Sequence, residues 1–378
     1  MKENNKKIQS ATAVILAVFV LAFSCAFFLM EKKEFSESEN RYLSAFPEFS
    51  AETLKNGDFM EGVQTYLADH FPCRDMFMGL KAEAEIAAGK REINGIYIAD
   101  DGYLIEAYKA PKNTEKIVGN FRKFYEAVKD EDVSVSLLLV PTASVIYAEK
   151  LPSFAQEPDQ LGEREAIYAR SGLPRIDCYG ALMDKKDEMQ LYYRTDHHWT
   201  SYGAYAAYTA YCEQTGIEPV MLEDLVAKEV SADFRGTIYS KLNDGRMGKD
   251  TITVFENPEN QLTVFYTDTK ETTDSLYNFE YLEKKDKYSL FLDNLHSLIE
   301  ITNETADSER ELVLIKDSYA NSMVPFLVNH FKKIYVFDTR YYKQGPSSFI
   351  KEHPEVTDVL ILYNMNTIDT DLGIGGIY

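Results

Sequence analysis

The sequence predicts an α/β fold: a parallel sheet flanked by helices, carrying a β-rich insertion, behind one N-terminal transmembrane helix. Three observations predict it. Short, almost wholly apolar runs at 133–141, 311–318, 332–339 and 358–364 alternate with helical stretches. Such runs suit strands buried on both faces, and strand–helix alternation suits a parallel sheet. Residues 228–295 break that rhythm with shorter pieces, DTITVF, LTVFYT and KYSLFL, which read as strands of an insertion. From Ile8 to Met30 no residue is charged.

That uncharged run, at 1.5 Å per residue, is long enough for a bilayer core of roughly 30 Å. Lys2, Lys6 and Lys7 precede it, against Glu3, so the positive-inside rule keeps the N-terminus cytoplasmic and exports the rest. The competing reading is a cleaved signal peptide. The run is long for one, and its small-residue site, Ser24-Cys25-Ala26, is followed by more apolar residues. The expected division is a cytoplasmic tail at 1–8, an anchor at 9–30, a juxtamembrane linker with helices at 31–95, and an α/β domain at 96–378.

After the anchor, Phe59, Val63, Tyr66 and Leu67 share one helix face. Pro72 interrupts, and Asp75 is placed to cap a second helix with Phe77, Leu80, Ala84 and Ala87 on one face. The stretch 96–105 reads as a β-hairpin turning at Asp101-Gly102, with a helix following at 112–129.

Net charge is −21, and no basic stripe offsets it, which argues against a nucleic-acid partner. Of four cysteines, Cys25 lies in the apolar run, and Cys73, Cys178 and Cys212 are too few for a disulfide framework. Without a CxxC pair, a cysteine zinc site is not expected.

Two segments carry chemistry. The first, TDHHWT at 195–200, sets Asp196 beside two of the chain's six histidines. In an extended stretch, residues i and i+2 point the same way, so Asp196 and His198 become neighbours and His197 faces away. A carboxylate beside an imidazole fixes its tautomer and stabilises the imidazolium formed when it takes a proton. Asp-His-His is also a partial metal-ligand set, although no HExxH accompanies it. Thr200 or Ser201 is placed to cap the helix that follows, with Tyr205, Tyr208 and Cys212 on one face.

The second segment, IKDSY at 315–319, ends an apolar strand and opens a helix. A serine at such a turn exposes its hydroxyl at the sheet edge, and N–H groups of the next turn are available to an oxyanion. Asp and Ser are also ordinary helix caps, so either segment alone admits a structural role.

TDHHWT followed by IKDSY resembles the DHHW protein family, and through it the SGNH-hydrolase-like alginate O-acetylation proteins AlgJ and AlgX. SENRYLSAFPEF (38–49), YLADHFPCRD (66–75), YIADDGYLI (97–105), LLLVPTAS (137–144) and FRGTIYS (234–240) extend the resemblance over most of the chain. It implies a flavodoxin-like, SGNH-hydrolase-like sheet with Asp196 orienting, His198 as base and Ser318 as nucleophile. Trp199 matches the family's aromatic residue, and Tyr319, Asn321, Trp199 and Arg194 are expected around the oxyanion and substrate. Where SGNH enzymes usually have Gly-Asp before the serine, this chain has Lys316-Asp317. The implied activity is an extracellular, membrane-anchored O-acetyltransferase acting on an exopolysaccharide or cell-wall glycan. The resemblance also implies a membrane-bound acyltransferase partner; no cofactor is expected, and no metal, since Asp69-His70 is the one other such pair. A carbohydrate acetylesterase or a non-catalytic glycan-binding envelope protein would use the same fold.

Overall fold

The computed structural model describes residues 2–36, 41–242, 245 and 247–378. The first three residues of the SENRYLSAFPEF motif lie outside them. The chain forms two compact units: Met1–Lys90 with Ser240–Gly245, and Arg91–Tyr239 with Arg246–Tyr378.

The second unit is built on eight strands: β1 (Ser134–Val140), β2 (Arg175–Ile176), β3 (Leu262–Tyr266), β4 (Glu271–Thr273), β5 (Leu298–Asn303), β6 (Glu311–Lys316), β7 (Lys333–Phe337) and β8 (Asp358–Asn364). Their order across the sheet is β4-β3-β5-β7-β6-β8-β1-β2. From β7 to β2 the neighbours are parallel. β5, β3 and β4 extend the β7 edge antiparallel. The sheet is therefore mixed rather than purely parallel. Its antiparallel part includes the β3–β4 hairpin, whose short turn through Lys270 (φ 65°) leaves no room for the crossover that parallel strands need. Taken in chain order, the five parallel strands lie 2-1-5-3-4, so the last one sits at their centre, unlike the flavodoxin order 2-1-3-4-5. That strand, DVLILYN, is buried at every position, which suits the centre.

Side chains alternate between two cores, one on each sheet face. Leu138, Val140, Leu312 and Leu314 enter one, with Ala204, Ala207, Tyr208 and Tyr211 of helix α3 (Ser201–Thr215). Leu137, Leu139, Val313 and Ile315 enter the other. There they meet Phe121 and Phe124 of helix α1 (Thr114–Val128) and Ile167 of helix α2 (Gln160–Ser171). Each buried Leu, Val, Ile or Phe among these stabilises by about 1.5–3 kcal/mol.

The insertion does not form one β-rich body. Val226–Phe234 and Asp250–Glu256 make a separate two-stranded ribbon, while LTVFY becomes β3 of the main sheet. KYSLFL is not a strand. Lys287–Leu290 is a 3-10 turn, residues Tyr288 to Leu292 are all buried, and Leu292, Asp293 and Asn294 take φ of 57°, 54° and 73°. A half-buried strand hides every second side chain, whereas this segment folds into a wedge buried on all sides.

The hairpin pairs Ile96–Ile98 with Leu104–Glu106 and turns through Asp101 (φ 56°) and Gly102 (φ 75°); Glu92–Ile93 adds a third strand. In the first unit, helices span Asp58–Asp69 and Arg74–Ala87. Cys73, at φ 57°, takes the cap position expected of Asp75, which lies in the first turn. The N-terminal helix runs Lys2–Leu29, and its 21 residues Gln9–Leu29 are long and apolar enough to cross a membrane. All four cysteines are free.

Thr200 caps α3 by accepting from Tyr202 N and Gly203 N. A Cβ on Gly203 would lie 2.2 Å from Leu191 O and 2.9 Å from Trp199 Cβ, so glycine lets the helix press against the loop before it. Gly203→Ala is expected to destabilise the protein by about 1–3 kcal/mol, read as a lower urea midpoint at unchanged slope. An unchanged midpoint would show that this approach is not tight.

Candidate active site

The serine is set by the end of β6. Asp317 N–H donates to Leu362 O on β8, continuing the sheet for one residue. The Asp317 carboxylate then accepts from Tyr319 N (2.9 Å), Asn364 N (2.7 Å) and the Thr367 hydroxyl. Burial pushes this carboxyl up, and these hydrogen bonds oppose it. Ser318 follows as the first residue of a 3-10 turn, at the C-terminal end of a strand, where open α/β sheets place their sites.

The histidine loop is held by a bridge between Tyr192 and Trp199 and by Tyr193 N–H donating to His198 O (3.2 Å). The run between them is a tight turn, not an extended strand. Asp196 and His198 meet because Asp196 Oδ1 accepts from His198 N (2.9 Å), a side-chain turn that brings the ring onto the same oxygen at 2.6 Å through Nδ1. His197 does not face away. Its ring centroid lies 3.9 Å from that of His198, and its Nδ1 is 2.6 Å from Thr237 Oγ1.

His198 Nε2 lies 2.7 Å from Ser318 Oγ across 120 residues of sequence. With Nδ1–H given to Asp196, Nε2 is the acceptor for the serine proton. The structure thus brings Asp196, His198 and Ser318 into one hydrogen-bonded line.

The other expected residues are placed differently. Trp199 is fully buried, and its indole N–H donates to Tyr319 O (2.8 Å) and Ser322 Oγ (2.9 Å), so no ring face is left for substrate. The Tyr319 ring is also buried, with its hydroxyl donating to His197 O. Arg194 gives Nη1–H to Gln190 Oε1 (2.8 Å) and Nε–H to Asp101 O (3.2 Å), fastening the loop to the 96–106 hairpin. The N–H groups after the serine are partly spent, Tyr319 N on Asp317 Oδ1 and Ala320 N on Asp317 O. Ser318 N–H has no acceptor among the described residues. Asn321 is buried, and among the described residues its Oδ1 has no partner.

Lys316, standing where the resemblance has glycine, needs no left-handed backbone. Its ammonium is buried 3.7 Å from Asp338 Oδ2, a carboxylate that Arg340 also binds. Burial lowers the Lys316 pKa and Asp338 opposes the shift.

Three residues that sequence reasoning gave no role complete the site. Thr237 donates N–H (2.7 Å) and Oγ–H (3.0 Å) to Asp196 Oδ2. A Cβ on Gly236 would fall 2.2 Å from Asp196 Oδ2, so only glycine allows this approach. Both lie in FRGTIYS, whose likeness to the family was the one signal available. Tyr288 stacks on the His198 ring at 3.8 Å and 7°, and its hydroxyl is 3.0 Å from Ser318 O and 3.1 Å from Ser322 Oγ.

Burial alone would raise the Asp196 pKa. The two neighbouring histidines and the hydrogen bonds from His198 and Thr237 outweigh it and hold the carboxyl well below the usual carboxylate range. Burial and then His197 push the His198 pKa down, Asp196 opposes them, and the outcome is about 4. His198 is therefore neutral near pH 7, the state a general base needs. Ligand atoms of Asp196, His197 and His198 lie within 4.8 Å of one another, but both ring nitrogens of His198 are engaged, by Asp196 and Ser318.

The fold is thus a mixed α/β sheet flanked by helices, with a carboxylate–imidazole–hydroxyl line at a strand end. The model of the DHHW protein family matches residues 39–113 and 115–337, and the chain belongs to that family. A DHHW family protein from Eubacterium siraeum superposes with a TM-score of 0.65 at 26% identity, over 75% of this chain and 95% of that one. Bacillus cereus PatB1, solved with a sulfonyl adduct, shares the fold with a TM-score of 0.62 at 19% identity, over 75% of this chain and 98% of that one. The probable alginate O-acetylase AlgJ of Pseudomonas syringae pv. tomato is 24% identical over 176 residues, 44% of this chain and 45% of that protein. The chain spans about half the length of the curated relatives it matches.

The electrostatics give a direct prediction. Nitrogen-detected NMR of the His198 ring should show titration near pH 4 rather than near the free value of about 6.5. His197→Gln removes a like charge and should move that titration upward. A midpoint above 6 in the parent, or no upward move in the variant, would contradict the arrangement.

Proposed function

We propose that this protein is an extracytoplasmic O-acetyltransferase that passes an acetyl group through Ser318 to hydroxyls of an exopolysaccharide or cell-wall glycan. The observation that carries the reading is the 2.7 Å contact between His198 Nε2 and Ser318 Oγ, backed by the 2.6 Å contact to Asp196. Membership of the DHHW family and likeness to proteins named as alginate O-acetylases support the reaction class. The N-terminal apolar helix supports a single-pass anchor with the remaining chain outside the cell. A membrane-bound acyltransferase is the proposed source of acetyl groups.

In the first half-reaction Ser318 Oγ attacks the donor's acetyl carbon while His198 Nε2 takes the serine proton. Asp196, ionised, stabilises the imidazolium so formed. Ser318 N–H and the Asn321 amide are the proposed donors to the oxyanion; the side-chain N and O of an amide are assigned by hydrogen bonding, and a turned Asn321 presents N–H where its unpartnered oxygen now stands. Collapse breaks the bond to the leaving oxygen, which takes the proton from His198. A sugar hydroxyl then attacks the acetyl-serine, gives its proton to His198, and Ser318 Oγ takes that proton back.

The test is turnover of 4-nitrophenyl acetate by the full chain in detergent, with and without a glycan oligosaccharide. Ser318→Ala and His198→Ala should lose at least about 10³-fold in kcat. Gly236→Ala should lose at least about 10²-fold by displacing Asp196. The oligosaccharide should leave acetylated. Unchanged turnover in Ser318→Ala would sink the mechanism, and acetyl released only to water would identify an esterase.

A further inference from the structure

The first unit exposes more apolar surface than a water-facing element carries. Leu67, Phe71, Met76, Phe77 and Leu80 are 46%, 40%, 53%, 37% and 53% exposed. They come from the Asp58–Asp69 and Arg74–Ala87 helices and the turn between them. Phe77, Leu80, Ala84 and Ala87 form one helical stripe. Leu67, Phe71 and Phe77 also line an open hollow together with Met78 and Lys81. A contiguous patch of this kind marks a partner surface.

What covers the patch follows from what it continues. Phe71 stacks on Phe23 of the N-terminal helix (5.2 Å, 10°), Phe77 packs on the same ring (5.8 Å), and Tyr66 meets Phe27 (6.1 Å). Phe23 lies inside the apolar span Gln9–Leu29, six residues before its end. Six residues are about 9 Å of helix, and amphipathic interfacial helices sit about 5–10 Å deep. A bilayer that takes up the anchor therefore reaches the level of Phe71 and Phe77. Lys81, exposed beside the hollow, stands where a long cationic side chain can lie along apolar surface with its charge at the headgroups.

We propose that the apolar faces of these two helices lie in the boundary between lipid headgroups and acyl chains, beside the N-terminal helix. The proposal rests on the anchor reading above. It makes the first unit a membrane-seated base rather than a tether, with the bilayer itself as partner.

The test uses the full chain carrying Cys25→Ala and Cys73→Asn, the latter because asparagine tolerates the left-handed backbone at that position. Cys178 and Cys212 are buried and stay unlabelled. Spin labels are placed one at a time by Leu21→Cys, Phe77→Cys and Leu80→Cys. Each protein is reconstituted in vesicles of equal parts phosphatidylethanolamine and phosphatidylglycerol. Power saturation then compares collisions with oxygen, which enters lipid, and with a water-soluble nickel chelate. The expected result is an oxygen-to-nickel ratio above one at all three positions. A ratio above one at position 21 and below one at 77 and 80 would overturn the proposal and leave the anchor standing. Ratios below one at all three would remove the anchor and the proposal together. Labels at 77 and 80 shielded from both reagents would replace lipid by a second copy of the chain and overturn the proposal.

Discussion

The candidate chemistry depends on two loops meeting that are 120 residues apart, and a buried indole holds them together. Trp199, the chain's only tryptophan, donates its N–H to both Tyr319 O and Ser322 Oγ. A buried indole N–H without an acceptor costs free energy, so the two loops share one favourable position. His198 precedes Trp199 and Ser318 precedes Tyr319, so the clamp sets the imidazole opposite the hydroxyl. Tyr319 answers in the other direction, its hydroxyl donating to His197 O. The rings flanking the site thus hold backbone and leave the reacting atoms to the residues beside them.

A second constraint is the satisfaction of a buried carboxylate. Asp196 accepts from His198 N and Nδ1 on one oxygen and from Thr237 N and Oγ1 on the other. That count keeps it ionised despite burial. Glycine at 236 is the condition for Thr237 to come so close. Tyr288 closes the remaining side by lying flat on His198. The antiparallel extension of the sheet explains how it gets there. β3 and β5 are neighbours, and the buried wedge that carries Tyr288 is part of the chain between them.

Much of this fold was legible and part of the site was not. The strands 134–140 and 358–364 announced themselves because a strand covered on both faces must be apolar throughout. KYSLFL misled because alternation describes residue types, not backbone; Asp293 and Asn294 just after it are types that tolerate a left-handed turn, whereas Leu292 is not. Asp196 and His198 were rightly judged neighbours for the wrong reason: strand geometry was assumed, and an Asp side-chain turn does it. His198 was joined to Ser318 by resemblance, since sequence carries no distance across 120 residues. Gly236 and Thr237 have no chemical signature, and their bond to Asp196 spans 41 residues. Trp199 and Tyr319 are expected around the oxyanion and substrate from resemblance alone, and an aromatic beside a site looks alike in sequence whether its ring is buried or open.

The central claim is that Ser318 carries the acetyl group between donor and acceptor. It is tested most directly by quenching the full chain with acid during turnover of 4-nitrophenyl acetate and sequencing its peptides by mass spectrometry. The account predicts a single added acetyl group on Ser318, absent in His198→Ala. Continued ester turnover with Ser318 unmodified, or the acetyl group on another residue, would contradict it.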